Sequence, residues 1–185
     1  VFAQLTQSGK ISDYTAISSA TGSLTSTFSL TNSFTIQAVD PDHYPLVTAP
    51  TFTNPADGSL PQLLTGQQVV VSQKFVNIYH KNVGDTIPVS IKAETGSELR
   101  TQFRVVGIVN NTGIYSQAGA VMQLSQYDYQ TLQSEIGYTR VYVTTRNVQQ
   151  AKDAVKALSK QLPLTAIQTA ADLQKSLQSS IDTIN

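Results

Sequence analysis

Apolar and polar residues alternate along several segments of the chain, and a period of two is typical of half-buried strands. Between Leu24 and Ala38 the apolar side chains favour even positions, which predicts two strands joined near Thr31–Ser33. Gly84-Asp85 predicts a turn into a strand, and Glu94–Ser97 predicts a hairpin loop after that strand. The further predicted strands are Val69–Val71, Thr86–Lys92, Phe103–Val109 and Tyr138–Thr145.

Three helices are predicted between or after these strands. Ser72 stands where an N-cap belongs, immediately before a brief helix. Ser125 and Asp128 have the spacing of a capping box. Asn147 precedes the most regular helix, which Pro163 ends. The apolar stripe of that helix is Ala151, Ala154, Val155, Leu158 and Leu162.

Both ends of the chain also have helical patterns. Residues 1–5 predict a helix that Gly9 terminates, and from Ala170 apolar residues again recur at helical spacing. Two interpretations are open: a segment excised from between two membrane helices, or ordinary frayed terminal helices. Before the last helix, Leu164–Ile167 is predicted as a short strand, so a right-handed βαβ unit and an antiparallel return are both allowed.

Two stretches without periodicity are candidates for contact with partners. Five prolines and a glycine between Asp40 and Pro61 predict a connector, where the chain passes from one subdomain to the next. Within it, Tyr44 to Asn54 is either a docking surface or a semi-rigid linker. The stretch Asn110–Gly119 is either a contact loop or a plain polar connection.

Composition narrows the function more than the fold. Hydrophobic residues make up 40% of the chain and charged residues 13%, with 12 Lys and Arg against 12 Asp and Glu. A neutral surface offers no electrostatic attraction for nucleic acid, which is therefore not an expected partner. The absence of cysteine excludes disulfides and thiolate metal sites, and it fits an oxidising compartment.

The residues that carry metal or acid–base chemistry do not form a constellation. His43 and His80 lie in different segments, and neither has a carboxylate or second histidine at metal-ligand spacing. His43 follows Asp40 and Asp42, so a loop for a hard cation is conceivable. The sequence Asp-Pro-Asp more often forms a turn than a cation site.

Nucleophile motifs are missing as well. Ser72 and Ser116 lack the G-x-S-x-G context, and no P-loop, G-x-G-x-x-G or HExxH occurs. The acidic residues are scattered, which gives no carboxylate pair for glycoside hydrolysis. Asn110-Asn111-Thr112 is a glycosylation sequon that we expect to be silent. We therefore expect no catalytic residue, no cofactor, no metal site and no enzyme activity.

Several short motifs occur in a fixed order along nearly the whole chain. They are Val39-Asp40-Pro41, the strand Gly66–Ser72, the turn at residues 83–87 (V-G-D-T-I), the strand Phe103–Val109, Val121–Ser125 and Arg140–Val143. Together they resemble the extracytoplasmic domain of MacB/FtsX-like permeases. Within these motifs Gly84 and Gly107 are expected to have scaffold roles, at a tight turn and at close strand packing.

The resemblance implies an α+β fold in two parts. A porter-like α/β subdomain is expected from residues 1–60 and 138–185, and an inserted, β-rich sabre-like subdomain from residues 61–137. The Ser/Thr-rich strand pair Ser18–Ile36 has no convincing helix between its strands, so the porter-like part is expected to be abbreviated.

The resemblance also implies a function. It predicts the extracytoplasmic domain of an ABC-transporter permease at the cell membrane, coupling cytoplasmic ATP hydrolysis to extracytoplasmic movement for export or mechanotransmission. The implied partners are an ABC ATPase subunit or domain, a second permease copy, and an extracytoplasmic accessory protein or substrate. The rival hypotheses are a stand-alone secreted binding or adhesion module and an extracellular hydrolase with a non-obvious site.

Overall fold

The computed structural model describes residues 1–24, 32–92, 98–110, 119–132 and 137–172. The chain divides into two compact units. The terminal unit contains Val1–Tyr14 and Val143–Asn185, and the central unit contains Thr15–Tyr142. Each unit is described by itself below.

Helices and strands follow one another irregularly along the chain, and the predicted α+β class is confirmed. In order, the elements are α1 (Phe2–Gln7), β1 (Asp13–Leu24), β2 (Ser33–Val39), α2 (Tyr44–Thr48), β3 (Thr51–Asn54), α3 (Leu60–Leu63), β4 (Gln68–Ser72), α4 (Gln73–Tyr79), β5 (Thr86–Lys92), β6 (Glu98–Asn110), β7 (Val121–Ser125), α5 (Gln126–Leu132), β8 (Arg140–Thr144) and α6 (Val148–Gln161). In the described part of the chain, none of these helices has the length and apolar character needed to cross a membrane.

Six strands of the central unit pair in a closed ring. Strand β2 pairs in parallel with β7, and β7 pairs antiparallel with β4. Strand β4 then pairs in parallel with β6, and β6 antiparallel with β5. The ring closes because β1 pairs antiparallel with both β5 and β2. Outside the ring, β3 pairs with β6, and β8 lies next to β1 in the sheet order.

The main core is formed by alternate side chains of the ring strands. On β5, Ile87, Val89 and Ile91 are all fully buried, as the period of two requires. Gly22 on β1 lies opposite Phe34 on β2. A Cβ atom at Gly22 would lie 2.6 Å from Phe34 Cε2, so the missing side chain leaves the space that the Phe34 ring fills.

A second core lies on the opposite face of β4. Val69 and Val71 belong to the main core, and Val70 between them belongs to the second. The second core also contains Tyr44 of α2, Leu60 of α3 and Leu64, which follows α3. Strand β6 contributes Val109. Gly107 on β6 allows this packing, because a Cβ there would lie 3.0 Å from Leu63 Cδ1.

In the terminal unit, α1 and α6 share a small core. Leu5 and Ile11 pack with Ala154 and Leu158 of α6, all at least nine-tenths buried. These two α6 residues are four positions apart, on one face of the helix. The two segments of the terminal unit are also joined by a backbone hydrogen bond, since the Ser12 N–H donates to the Thr144 carbonyl oxygen over 2.8 Å.

Most predicted elements are confirmed. The strands β4, β5 and β8 lie within a few residues of their predicted bounds, and β6 contains the predicted strand Phe103–Val109 but begins earlier, at Glu98. Ser72 and Asn147 are N-caps whose side chains accept a backbone N–H. Gly9 has a φ of 69° after α1, and Gly84 has a φ of 100° before β5. The predicted joint near residues 31–33, the loop Glu94–Ser97 and the last helix beyond residue 172 lie wholly or partly outside the described residues.

Two predictions from local pattern are wrong, and one strand is longer than predicted. Strand β1 begins at Asp13, upstream of the predicted strand pair Ser18–Ile36, because serine, threonine and glycine along it obscure its alternation. Residues 164–167 form no strand, so no βαβ unit arises here. The Asp40–Pro61 segment is not a plain connector, because it contains α2, β3 and α3, and its apolar side chains fill the second core.

The two compact units differ from the predicted subdomain ranges. Residues 15–60 were expected with the chain ends, yet β2 hydrogen-bonds to β7, and Phe34 and Ile36 lie in one core with Val69 and Met122. The compact units have their boundaries at Tyr14 and Val143. The porter-like and sabre-like assignment stays a prediction.

Candidate functional site

A groove with apolar walls lies on the surface of the central unit, between α2, β3 and α3. Its volume is about 320 Å³. Pro45 stands in the first turn of α2, and Ala49, with a φ of 45°, ends the helix after five residues, which turns the chain sharply into β3. The residues that line the groove are Asp42, Pro45, Leu46, Ala49, Pro50, Phe52, Gly58, Ser59, Leu60 and Pro61. We call it the apolar groove.

The apolar groove has a buried leucine at its base and an exposed leucine on its wall. Leu60 is fully buried, whereas Leu46 is 69% exposed. Tyr44, at the start of α2, is anchored because its hydroxyl oxygen accepts a hydrogen bond of 3.1 Å from Gln123 Nε2 on β7. The Gln123 Nε2 also donates to Gln37 Oε1 on β2. Buried polar bonds of this kind fix the position of α2 on the sheet.

The groove carries negative charge at its edge. Asp42 lines it, Asp57 immediately precedes its lining residue Gly58, and Asp40 lies at the turn into α2. From Ile11 to Gln73 the sequence contains no lysine or arginine. The charges of a neutral chain are therefore segregated, and this groove lies in the acidic part.

The segment that was a candidate cation loop is a turn held together by the Asp40 carboxylate. One carboxylate oxygen of Asp40 accepts the N–H groups of Asp42 (3.0 Å) and His43 (3.2 Å). The other lies 3.1 Å from His43 Nδ1. Asp-Pro-Asp thus acts as a turn. Within the described ranges, no three His, Cys, Asp or Glu side chains group closely enough to hold a metal ion.

The other candidate residues have structural positions. Ser72 is 1% exposed, and its hydroxyl oxygen accepts the N–H groups of Phe75 and Val121, both over 3.1 Å. His80 is the left-handed C-cap of α4, with a φ of 54°. Ser72 and His80 cap opposite ends of α4, whereas His43 precedes α2. Ser116 and residues 111–118 of the candidate contact loop lie outside the described residues.

A second cavity, of about 370 Å³, lies on the terminal unit at the start of α6. The sequence analysis did not predict this cavity. Its lining is mostly polar and consists of Gly9, Lys10, Arg146, Asn147, Gln149, Gln150 and Asp153. Gln150 organises it, since its Nε2 donates to the Gly9 carbonyl oxygen and its Oε1 accepts the Arg146 N–H. Only the pairing of residues distant in sequence creates this cavity, so no local motif could have identified it.

Comparison with known proteins gives the fold a family. The chain matches the MacB-like periplasmic core domain over residues 2–161. No match was found among curated protein sequences. Among solved structures, the extracellular domain of the noncanonic ABC-type transporter YknZ from Gram-positive bacteria is similar, with a TM-score of 0.56 and 14% identity over 86% of this chain and 81% of that one. The periplasmic region of MacB from Actinobacillus actinomycetemcomitans is similar with a TM-score of 0.55 and 13% identity over 96% and 80% of the two chains.

These likenesses define a class of fold, the one shared by the extracellular domain of YknZ and the periplasmic region of MacB. Within that class, the chain belongs to the family of MacB-like periplasmic core domains. The family is a family of transporter domains, and its members act outside the cytoplasm. The resemblance read from the ordered motifs is confirmed.

Proposed function

We propose that this domain transmits movement in a permease, coupling ATP hydrolysis by a cytoplasmic partner ATPase to extracytoplasmic motion for export or mechanical signalling. One observation carries the proposal: the terminal unit is built from both ends of the chain, and the continuous segment Thr15–Tyr142 forms the unit between them. In a permease whose membrane helices flank such a domain, movement of either helix acts first on the terminal unit. Family membership favours this function over a stand-alone secreted binding module.

The terminal unit has contacts suited to receiving such movement as one body. Its α1 and α6 share a core, and the Gln150 side chain bonds to the Gly9 carbonyl oxygen. Packed cores deform little, so displacement of one chain end is passed to the other end rather than absorbed locally. The expected partners are the ATPase, a second permease copy and an extracytoplasmic accessory protein or substrate.

Spin labels on the full-length permease with its ATPase test the proposal. The domain has no cysteine, and Val148 (73% exposed) and Tyr127 (76% exposed) provide one labelling position in each unit. We expect the distance between equivalent labels on two copies to change when a non-hydrolysable ATP analogue binds. An ATPase variant that cannot bind nucleotide is the control. Unchanged distances at both positions in an active transporter would contradict the proposal.

The proposal also includes that the domain catalyses no reaction itself. Ser72 supports this, because its hydroxyl oxygen is occupied by two backbone N–H groups in the interior of the central unit. The measurement is hydrolysis of ester, peptide and glycoside substrates by the purified domain. Activity that a substitution at Ser72, Ser116 or His43 abolished would overturn it.

A further inference from the structure

A leucine at the end of α6 is held away from the core of its own unit. Leu164 is 100% exposed, although Leu162 and Ile167 on either side pack against the core of the terminal unit. The segment is a turn, since the Thr165 N–H donates to the Leu162 carbonyl oxygen over 3.1 Å. Anchored on both sides, this turn presents Leu164 in a fixed position. We call residues 162–165 the Leu164 turn.

Positive charge lies beside the Leu164 turn. Lys160 is in the last turn of α6, and Lys156 and Lys152 precede it at intervals of four. All three are exposed, and this spacing places them on one face of the helix. The exposed leucine is therefore flanked by a basic stripe.

The apolar groove has the complementary properties. Pro45, Pro50 and Phe52 provide apolar walls for an aliphatic side chain, and Asp42, which lines the groove, provides negative charge. Asp57, next to the lining residue Gly58, adds a second acidic residue. An exposed apolar side chain with positive charge near it and an apolar groove with negative charge at its edge are complementary, and in such an interface the apolar contact supplies affinity and the charges supply orientation.

We propose that the apolar groove of one permease copy receives the Leu164 turn of a second copy. The proposal rests on the proposed function, which requires two copies. A turn in a groove buries far less than the roughly 1,200 Å² of a stable interface, so this contact does not hold two free domains together. In the intact permease, membrane helices and the ATPase keep the copies near each other, at an effective concentration of millimolar order. A weak contact is then occupied in some nucleotide states and released in others.

Cysteine cross-linking between two distinguishable copies tests this contact. The full-length permease, with any cysteines outside this domain replaced, is produced with its ATPase as two differently tagged copies. One copy carries Leu46→Cys on the groove wall and the other carries Leu164→Cys. The matched control pairs Leu46→Cys with Val148→Cys, an exposed position about 20 Å away at the other end of α6. Mild oxidation and a non-reducing gel give the yield of the cross-linked pair.

We expect the Leu46–Leu164 pair to cross-link several-fold more than the control pair in at least one nucleotide state. Asp42→Lys in the groove copy places like charge near Lys160 and is expected to lower that yield by about two- to fivefold. Leu46, Asp42 and Leu164 are all exposed, so none of these changes disturbs a core.

Equal yields for the two pairs in every nucleotide state would overturn the inference. Cross-linking of Leu46→Cys to a different protein, with none to the second copy, would also overturn it by showing another occupant. If spin-label distances still respond to nucleotide in that case, the proposed function stands and only this contact fails. If those distances do not respond, the coupling function fails independently.

Discussion

Gln150 and Gly9 are joined by a hydrogen bond of 2.7 Å between Gln150 Nε2 and the Gly9 carbonyl oxygen, although 141 positions separate them in the chain. The Oε1 of the same side chain accepts the Arg146 N–H over 2.5 Å and the Ser12 hydroxyl over 3.4 Å. One amide thus links the loop after α1, the start of β1 and the loop before α6. It holds together the unit that both chain ends form.

Replacing Gln150 should loosen the terminal unit. We expect Gln150→Ala to lower its free energy of unfolding by about 1–2 kcal/mol, because two of the lost side-chain hydrogen bonds, to Gly9 and Ser12, join segments that are distant in sequence. Hydrogen exchange measures the effect directly: the amides of Lys10 and Ser12, bonded to Leu5 and Thr144, should exchange faster.

Gln149→Ala is the matched control for this substitution. Gln149 is exposed, and its side chain bonds to Asp153 within α6. Its removal should change stability by no more than about 0.5 kcal/mol. Equal effects of the two substitutions would show that the Gln150 bonds do not hold the unit together.

Replacing Ser72 should destabilise the central unit. We expect Ser72→Ala to cost about 2–3 kcal/mol, because it removes the cap of α4 and leaves the Val121 N–H without its buried acceptor. Urea unfolding followed by fluorescence or circular dichroism measures this. Ser59→Ala is the control, since Ser59 is also an N-cap but its side chain makes no cap hydrogen bond. A cost for Ser72→Ala no larger than that for Ser59→Ala would contradict the expectation.

Adding one methyl group at Gly22 should strain the strand ring. We expect Gly22→Ala to cost about 1–3 kcal/mol, because its Cβ would lie 2.6 Å from Phe34 Cε2 and 2.7 Å from Ile36 Cδ1. Gly119→Ala is the control, because a Cβ there meets no atom of the described residues within 4 Å. Thermal unfolding of the two variants gives the comparison, and an unchanged Tm for Gly22→Ala would be the contrary result.

Two carboxyl groups, those of Asp128 and Glu98, should affect the pH dependence of the free energy of unfolding in opposite directions. Burial raises the pKa of Asp128, whose Oδ2 has no hydrogen-bond partner among the described residues. A raised pKa in the folded state means that the carboxylate destabilises the fold above that pKa, and that the penalty disappears as the pH falls below the unfolded value. We therefore expect any advantage of Asp128→Asn over the wild type to be present at pH 7 and to shrink towards pH 4, measured by urea unfolding at each pH.

Glu98 provides the comparison of opposite sign. The Ser90 hydroxyl donates to its carboxylate, and with the nearby Arg100 it lowers the Glu98 pKa, despite an opposing effect of burial. A lowered pKa stabilises the fold above the unfolded value and is lost as the pH falls through the folded value. The deficit of Glu98→Gln relative to the wild type should therefore shrink on acidification. The same sign for both variants would contradict these assignments.

The isolated domain should be monomeric or only weakly associating. Its surface is neutral overall, and the groove contact proposed above is too small for a stable pair. Sedimentation at micromolar concentration measures this. A stable dimer of the isolated domain would mean that its own surface, rather than the membrane helices and ATPase, drives pairing.

The sequence by itself determined the elements whose signal is local. Ser72 and Asn147 each have a side-chain oxygen that can reach a backbone N–H three residues on, and Gly84 can adopt a positive φ, so the capping and turn positions followed from residue type. Alternation in β5 and β6 depends only on which residues are apolar. The order of the motifs was enough to indicate the family.

Only the tertiary structure decided which segments share a core and a surface. The Asp40–Pro61 segment was predicted to be a connector because its prolines and glycine leave no helical or strand periodicity in the sequence. It folds because Tyr44 and Leu60 are buried against the outer face of β4, which no local pattern reveals. Strands β1 and β2 pair with each other at Gly22 and Phe34, and residues 15–60 belong to the central unit. The apolar groove arose in the same way: its prolines and Phe52 could be read in the sequence, but the walls exist only where α2, β3 and α3 pack together.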